Sequence, residues 1–153
     1  MASVEIYDYS VQVKNAVEKK ALEWLEESGL EIQSAAQNGS RRDGGEFAGK
    51  WDHIVDKAGK KVTVGHPDEN AIWEEFGTGE YAVGLKPGRK GGWYVPEEEL
   101  SDKAKTKMRR TEIKGKVFYF TRGKTPNHTL QKAFNKTKNP VINRAKQLFG
   151  ELD

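Results

Sequence analysis

The chain of 153 residues reads as an α+β fold: two amphipathic helices packed on one face of a small antiparallel sheet, with a long inserted hairpin arm. Three observations predict it. Apolar residues recur at three- and four-residue steps near both ends, short β-prone runs fill the middle, and a strongly charged segment separates two aromatic runs. The length suits a single domain over residues 1–153 with the arm at about 84–115, large enough for a modest core without disulfide or metal staples.

From Ser10 to about Gln37, Val13, Val17, Ala21, Trp24 and Leu25 mark one helix face, with Glu18, Lys19, Lys20, Glu23, Glu26 and Glu27 between them. Gly29 costs about 1 kcal/mol relative to alanine, so a bend or pause is expected there before Leu30, Ile32, Ala35 and Ala36 resume the face. The turn formers and charges from Asn38 through Arg41, Arg42, Asp43 and Gly44 to Gly45 predict a loop. His53-Ile54-Val55 and Lys61-Val62-Thr63-Val64, separated by Lys57-Ala58-Gly59-Lys60, have the spacing of a hairpin. Ala71 to Phe76 fits a strand or a helical turn, because one short apolar run does not fix its own period.

Trp93-Tyr94-Val95 and Val117-Phe118-Tyr119-Phe120 are expected to pair as a long hairpin whose tip is residues 96–115. In that tip Glu97, Glu98 and Glu99 precede Lys103, Lys105, Lys107, Arg109 and Arg110, the charge order a short helix dipole favours. With so few apolar residues to offset ordering entropy, 84–115 is expected to be an extended, mobile arm in the free subunit. A second amphipathic helix follows, carried by Leu130, Ala133, Phe134, Val141, Ala145 and Leu148, with a kink or restart expected at Asn139-Pro140.

Hydrophobic residues make up 35% and charged residues 32%, so either the surface is large relative to the core or partners cover part of it. The net charge of +3 is small, but its distribution is not: the chain carries −4 over 1–37, −3 over 38–83, +7 over 84–124 and +3 over 125–153. No apolar run approaches the roughly 18 residues of a membrane span, the polar, acidic start Ala2-Ser3-Val4-Glu5 is not expected to act as a signal peptide, and the absence of cysteine is compatible with a reducing cytoplasm. No membrane partner is expected.

Chemistry is sparse. His53, His66 and His128 lack metal-ligand spacing, and no serine elbow, paired-carboxylate context or Cys/His couple is present, so neither catalytic residues, metal nor cofactor are expected. His66-Pro67-Asp68-Glu69 reads as a capped turn after a strand. Gly77-Thr78-Gly79 leads into Glu80-Tyr81 rather than into a lysine-bearing helix start, so a phosphate cradle is disfavoured. The glycines are expected to serve backbone geometry, a positive-φ turn or a close chain approach that lets Phe76 and Tyr81 pack. Glu74 and Glu75 are either a solvated edge or the contact for a basic group of a neighbouring copy. Lys86, Arg89, Lys90, Lys114, Lys116, Arg122 and Lys124 extend the basic stretch among aromatic residues, which gives an alternative reading: a small nucleic-acid-binding domain using the basic arm 84–124. The competing use of that arm is to reach the acidic amino-terminal half of an adjacent copy.

The order Glu75-Phe76-Gly77-Thr78-Gly79, then Gly91-Gly92-Trp93-Tyr94, then Phe120-Thr121-Arg122-Gly123-Lys124-Thr125-Pro126 and a closing helix resembles one family. It is that of the neck proteins of tailed bacteriophages, which join head to tail as head-to-tail joining or tail-completion proteins. The resemblance spans about residues 10–150; Gly45-Glu46-Phe47 and Lys50-Trp51 are similar to the family's segment after the first helix. Where the family commonly has prolines after the last strand, this chain has His128-Thr129-Leu130-Gln131-Lys132-Ala133, and its arm is longer than usual. The resemblance favours a turn at Ala71–Phe76. It implies a non-enzymatic virion component of a phage or prophage, made in the host bacterial cytoplasm and placed at the head-to-tail junction. Implied partners are further copies in a ring of six or twelve, head-closure or connector proteins, and tail-tube or tail-terminator proteins. DNA passes nearby without specific binding. Assembly contacts are then expected at Glu74, Glu75, Phe76, Gly77, Thr78, Gly79, Lys105, Lys107, Arg109 and Arg110.

Overall fold

A computed structural model describes residues 4–41, 45–84 and 88–151; Lys86 of the basic stretch and Arg42, Asp43 and Gly44 of the first loop lie outside the described residues. Helices combine with small antiparallel sheets, so the architecture is α+β as the periodicities predict. The chain gathers into two compact units, one of Met1–Pro67 with Leu130–Asp153 and one of Asp68–Thr129.

In the first unit, helix α1 spans Ser10–Gly39, about 45 Å of helix, and runs two residues past its expected end. It does not pause at Gly29. A Cβ there would stand 2.4 Å from His53 Cδ2 and 2.7 Å from Val62 Cγ2, so the missing side chain is what lets a hairpin lie directly on the helix. That hairpin is β1 (Asp52–Asp56) and β2 (Lys61–Gly65), with Asp56 opposite Lys61, as the spacing of the β-prone runs predicts. Its turn is braced by Asp56 Oδ1, which accepts from the Gly59 N–H at 2.9 Å. The His53 ring contacts α1 at both nitrogens: Nδ1 lies 2.5 Å from Gln33 Oε1 and Nε2 lies 3.3 Å from Glu26 Oε1.

A short helix α2 (Glu46–Gly49) follows the first loop, and Phe47 stacks on His66 at 4.0 Å between ring centroids. Trp51 is buried, and its indole N–H donates to Ser40 Oγ at 2.8 Å, which itself donates to the Ala36 carbonyl. Ala36, Trp51 and Ala133 form the core, with Ile32, Ala35 and Leu130 packed against it. The closing helix begins at Thr129 and ends at Gly150; it is continuous across Pro140 rather than restarting there. It is clamped to α1 by polar contacts. The Trp24 indole N–H donates to the Val141 carbonyl at 2.8 Å, and Arg144 donates to both Glu27 oxygens, at 2.6 and 3.0 Å. That fork holds the Glu27 carboxyl below the usual carboxylate range and raises the Arg144 guanidinium.

In the second unit, α3 spans Asn70–Phe76, which decides between strand and helical turn in favour of helix. Strands β3 (Trp93–Pro96) and β5 (Lys116–Thr121) pair antiparallel, Tyr94 opposite Phe120 and Val95 opposite Tyr119, as the aromatic runs predict. Two expectations need correction. The sheet is not single: strands order as β1-β2 in one unit and β3-β5-β4 in the other. A two-stranded hairpin is about 10 Å wide and accommodates one helix, so α1 takes β1-β2 while the closing helix clamps onto α1. The second correction concerns the arm 84–115, expected to be extended: its tip, residues 96–115, folds instead, with a short helix in the stretch whose charge order favours one. Glu97–Glu99 form a 3-10 turn, α4 spans Asp102–Lys105 with Ser101 Oγ accepting from the Ala104 N–H, and β4 (Arg109–Ile113) joins the free side of β5. Lys114 and Gly115, at φ 51° and 75°, turn β4 directly into β5, so a ladder replaces the apolar burial that this stretch lacks.

Candidate assembly surface

The residues Glu74 to Gly79 lie where α3 ends and the chain crosses a second segment, Arg122–Pro126. The crossing is made by backbone. Thr78 N–H donates to the Lys124 carbonyl and Glu80 N–H to the Arg122 carbonyl, each at 2.8 Å, while Lys124 N–H donates to Thr78 Oγ1 at 2.9 Å. Asn127 N–H donates to the Glu74 carbonyl at 2.7 Å. Gly77 sits at φ 72°, ψ −177°, a conformation essentially restricted to glycine, and a Cβ there would lie 2.6 Å from the Lys124 carbonyl oxygen. A Cβ on Gly79 would lie 2.3 Å from the Arg122 oxygen. Both reasons expected from the sequence, positive φ and close approach, therefore coincide at one crossing. The Gly77, Thr78 and Glu80 amides donate to carbonyls of the same chain rather than to a ligand.

Glu74 departs from both readings of it. It is buried, and its carboxylate meets the ammonium of Lys124, fifty positions along the same chain. Glu75 is half-buried. The outer face of α3 is apolar instead: Ile72, Trp73 and Phe76 are 61%, 52% and 49% exposed. Spaced at i, i+1 and i+4 they share one side of the helix, and Val83, also exposed, donates its N–H to the Phe76 carbonyl at 2.8 Å. A short helix that buries a glutamate and shows a tryptophan outward inverts the usual pattern, and aromatic residues in an exposed patch are the common anchors of protein interfaces. Sequence reasoning passed over Ile72 and Trp73 because a short apolar run whose period is undecided does not say which of its residues face outward.

The basic residues belong to the same unit. Lys105 pairs with Asp102 at 3.3 Å within α4, Lys107 is exposed just after it, and Arg109 and Arg110 are exposed on β4 opposite Phe120 and Tyr119. Strand β5 thus links the two groups: it carries β4 on one side and runs on into Arg122–Lys124, about 10–15 Å further along the chain. The aromatic residues of this sheet serve mainly as packing, with Tyr119 buried and Phe118 and Phe120 half-buried, while Tyr94 is half exposed and leans on Phe120 at 5.3 Å. Arg89 lies over the Trp93 ring, its guanidinium carbon 5.6 Å from the centroid.

Among the described residues no three His, Asp or Glu side chains come together in a way that could hold a metal ion, and no helix is long and apolar enough to cross a membrane. Comparison with known protein families, with characterised proteins and with solved structures finds no match to this chain.

Proposed function

We propose that this chain is a non-enzymatic structural subunit of a tailed bacteriophage or prophage, part of the ring that joins head to tail. One observation carries the reading. The two segments whose order gives the family resemblance, Glu75–Gly79 and Phe120–Pro126, are hydrogen-bonded to each other as a single backbone crossing, so they act as one architectural element. Around it stand surfaces suited to protein contact: the apolar outer face of α3 and the basic edge at Lys105, Lys107, Arg109 and Arg110. A ring subunit needs flanks for its neighbours and faces for head and tail, and it works by geometry rather than by chemistry. Its partners are further copies, a head-closure or connector protein, and a tail-tube or tail-terminator protein.

The test is deletion of the gene from its phage or prophage and complementation with variants. Loss of the chain should leave DNA-filled heads and unattached tails under the electron microscope, and portal, capsid and tail-tube genes should flank it. Reversing the charges at Lys105, Lys107, Arg109 and Arg110 should block complementation while the purified variant keeps the native circular dichroism and melting curve. Arg89 over Trp93 and the exposed Tyr94 favour the nucleic-acid alternative. DNA affinity should nonetheless be weak and fall as salt rises. Tight binding to a defined sequence or single strand at physiological salt, abolished by the same reversals, would replace the structural reading with that alternative.

A further inference from the structure

The amino-terminal residues carry the largest concentration of exposed apolar surface in the described chain. Val4, Ile6, Tyr7, Tyr9, Val13 and Val17 are 85%, 90%, 67%, 60%, 59% and 41% exposed. At about 100–150 Å² apiece they offer on the order of 700 Å², close to the roughly 800 Å² each partner contributes to a standard protein interface. Residues 4–9 stand outside helix and strand. Tyr7 Oη donates to Glu5 Oε2 at 2.5 Å and the Tyr7 and Tyr9 rings stack at 6.3 Å, contacts between residues two apart as along a strand, before the chain turns into α1 at Tyr9 (φ −102°, ψ 12°), where Asp8 Oδ1 accepts from the Ser10 N–H at 2.9 Å. Glu5, Tyr7 and Tyr9 thus take one side, and Val4, Ile6 and Asp8 take the other. Helix α1 then carries the stripe on from its N-cap Tyr9 through Val13 and Val17.

A β-prone, acidic segment pairs favourably with an open strand edge of opposite charge, and β4 offers one on which Arg109 and Arg110 outnumber Glu112. Strand β4 ends the order β3-β5-β4, so its outer side has no strand neighbour among the described residues, and Arg109 and Arg110 lie exposed along it. Lys107 and Lys114 flank them. Such charges guard an edge against indiscriminate pairing, and the same charges select an acidic strand. Pairing of two amino-terminal segments with each other would instead set Glu5 and Asp8 against their own kind.

We propose that residues 4–17 are an exchange arm, in which Val4–Tyr9 of one copy adds as a strand to the β4 edge of a second copy and Glu5 and Asp8 meet its Arg109 and Arg110. The contact is heterologous, joining one surface to a different surface, so repetition around a closing rotation gives a ring. It deepens the ring reading above, and only the step from repeated contact to closed ring rests on it.

The chain has no cysteine, which makes the test direct. Copies carrying Ile6→Cys are mixed at raised concentration with copies carrying Glu112→Cys and joined by a flexible bismaleimide, whose span tolerates a shifted register. The mixed product should predominate. Adding Glu5→Lys and Asp8→Lys to the first copy should reduce it about tenfold, and adding Arg109→Glu and Arg110→Glu to the second should restore it. The arm is overturned if Ile6→Cys copies join chiefly to each other, if one copy carrying both cysteines closes on itself at high dilution, or if no mixed product forms. Rings seen by electron microscopy without the mixed product would refute the arm alone. Mixed product that yields only dimers or open filaments would keep the arm and refute the ring.

Discussion

Gly77→Ala measures how much of the second unit depends on the crossing of Gly77–Gly79 with Arg122–Pro126. Gly77 occupies φ 72°, ψ −177°, where a non-glycine residue loses about 1–3 kcal/mol. The new Cβ would stand 2.6 Å from the Lys124 carbonyl oxygen, 2.8 Å from Pro126 Cδ and 2.9 Å from Pro126 N, which are backbone and ring atoms without rotamers to yield. Overpacking of this kind adds about 1–3 kcal/mol, so the total is about 2–6 kcal/mol, a large part of the roughly 5–15 kcal/mol that holds a domain folded. For a chain of this size the melting temperature should fall by roughly 5–20 °C. Gly91→Ala is the control. Gly91 also has positive φ, at 80°, but nothing lies within 4 Å of a Cβ there, so it reports backbone strain without crowding. Urea and thermal unfolding of both variants separate the two costs. If Gly77→Ala unfolds no more readily than Gly91→Ala, the close crossing is not a determinant of stability and the element proposed to organise the assembly surface loses its support.

Three further outcomes follow. Gly29→Ala gains about 1 kcal/mol of helix propensity but drives a methyl into His53 and the stiff Val62, so net destabilisation by about 1–2 kcal/mol is expected in urea melts, whereas Gly39→Ala, with open space around it, should not destabilise. Trp51→Phe removes the indole N–H that Ser40 Oγ accepts and should cost about 1–2 kcal/mol by the same measurement, with loss of the native near-ultraviolet dichroism around residue 51. Glu27 has its folded pKa depressed, chiefly by the hydrogen bonds from Arg144, so its contribution is present above the ordinary carboxylate range and is lost as pH falls through and below that range. Melting temperature plotted against pH should therefore drop less steeply at the acid end in Glu27→Gln than in the parent chain.

The long helices, the β1-β2 hairpin and the β3-β5 pairing were legible because each is fixed by a sequence pattern: apolar residues at helical spacing over Ser10–Gly39 and Thr129–Gly150, a four-residue turn between β1 and β2, and paired aromatic runs in β3 and β5. What was missed depends on partners far along the chain. Strand β4, Arg-Arg-Thr-Glu-Ile, has no apolar alternation, and it exists because β5 supplies a ladder and Lys114-Gly115 a tight turn; that dipeptide was the available signal. Glu74 reads as surface in any local window and is buried because Lys124 meets it from fifty positions away. Periodicity places Val13 and Val17 on the apolar face of α1 correctly. It does not say how far along the helix that face is covered, and these two remain exposed.

These misses share a direction, and it bears on function. Taking every apolar residue for core and every charge for surface fails at Glu74, which is buried, and at Ile6, Tyr7, Val13, Val17, Ile72 and Trp73, which are exposed, as is Phe76, already expected among the assembly contacts. A chain selected only to fold alone has no reason to invest apolar side chains outward in this number while burying a glutamate carboxylate, since the exchange gives up hydrophobic burial and incurs desolvation. A subunit that completes its burial on assembly does have one: the apolar groups recover their burial against a partner, and the internal pair fixes the backbone that presents them. The two exposed groups also differ in kind. The amino-terminal residues are β-prone and acidic, suited to an edge strand on another copy, whereas Ile72, Trp73 and Phe76 form a compact aromatic patch beside a rigid crossing. Ring contact and contact with a different protein would thus use separate surfaces of the chain, so a variant altered at Ile6 and one altered at Trp73 should fail at different steps of assembly.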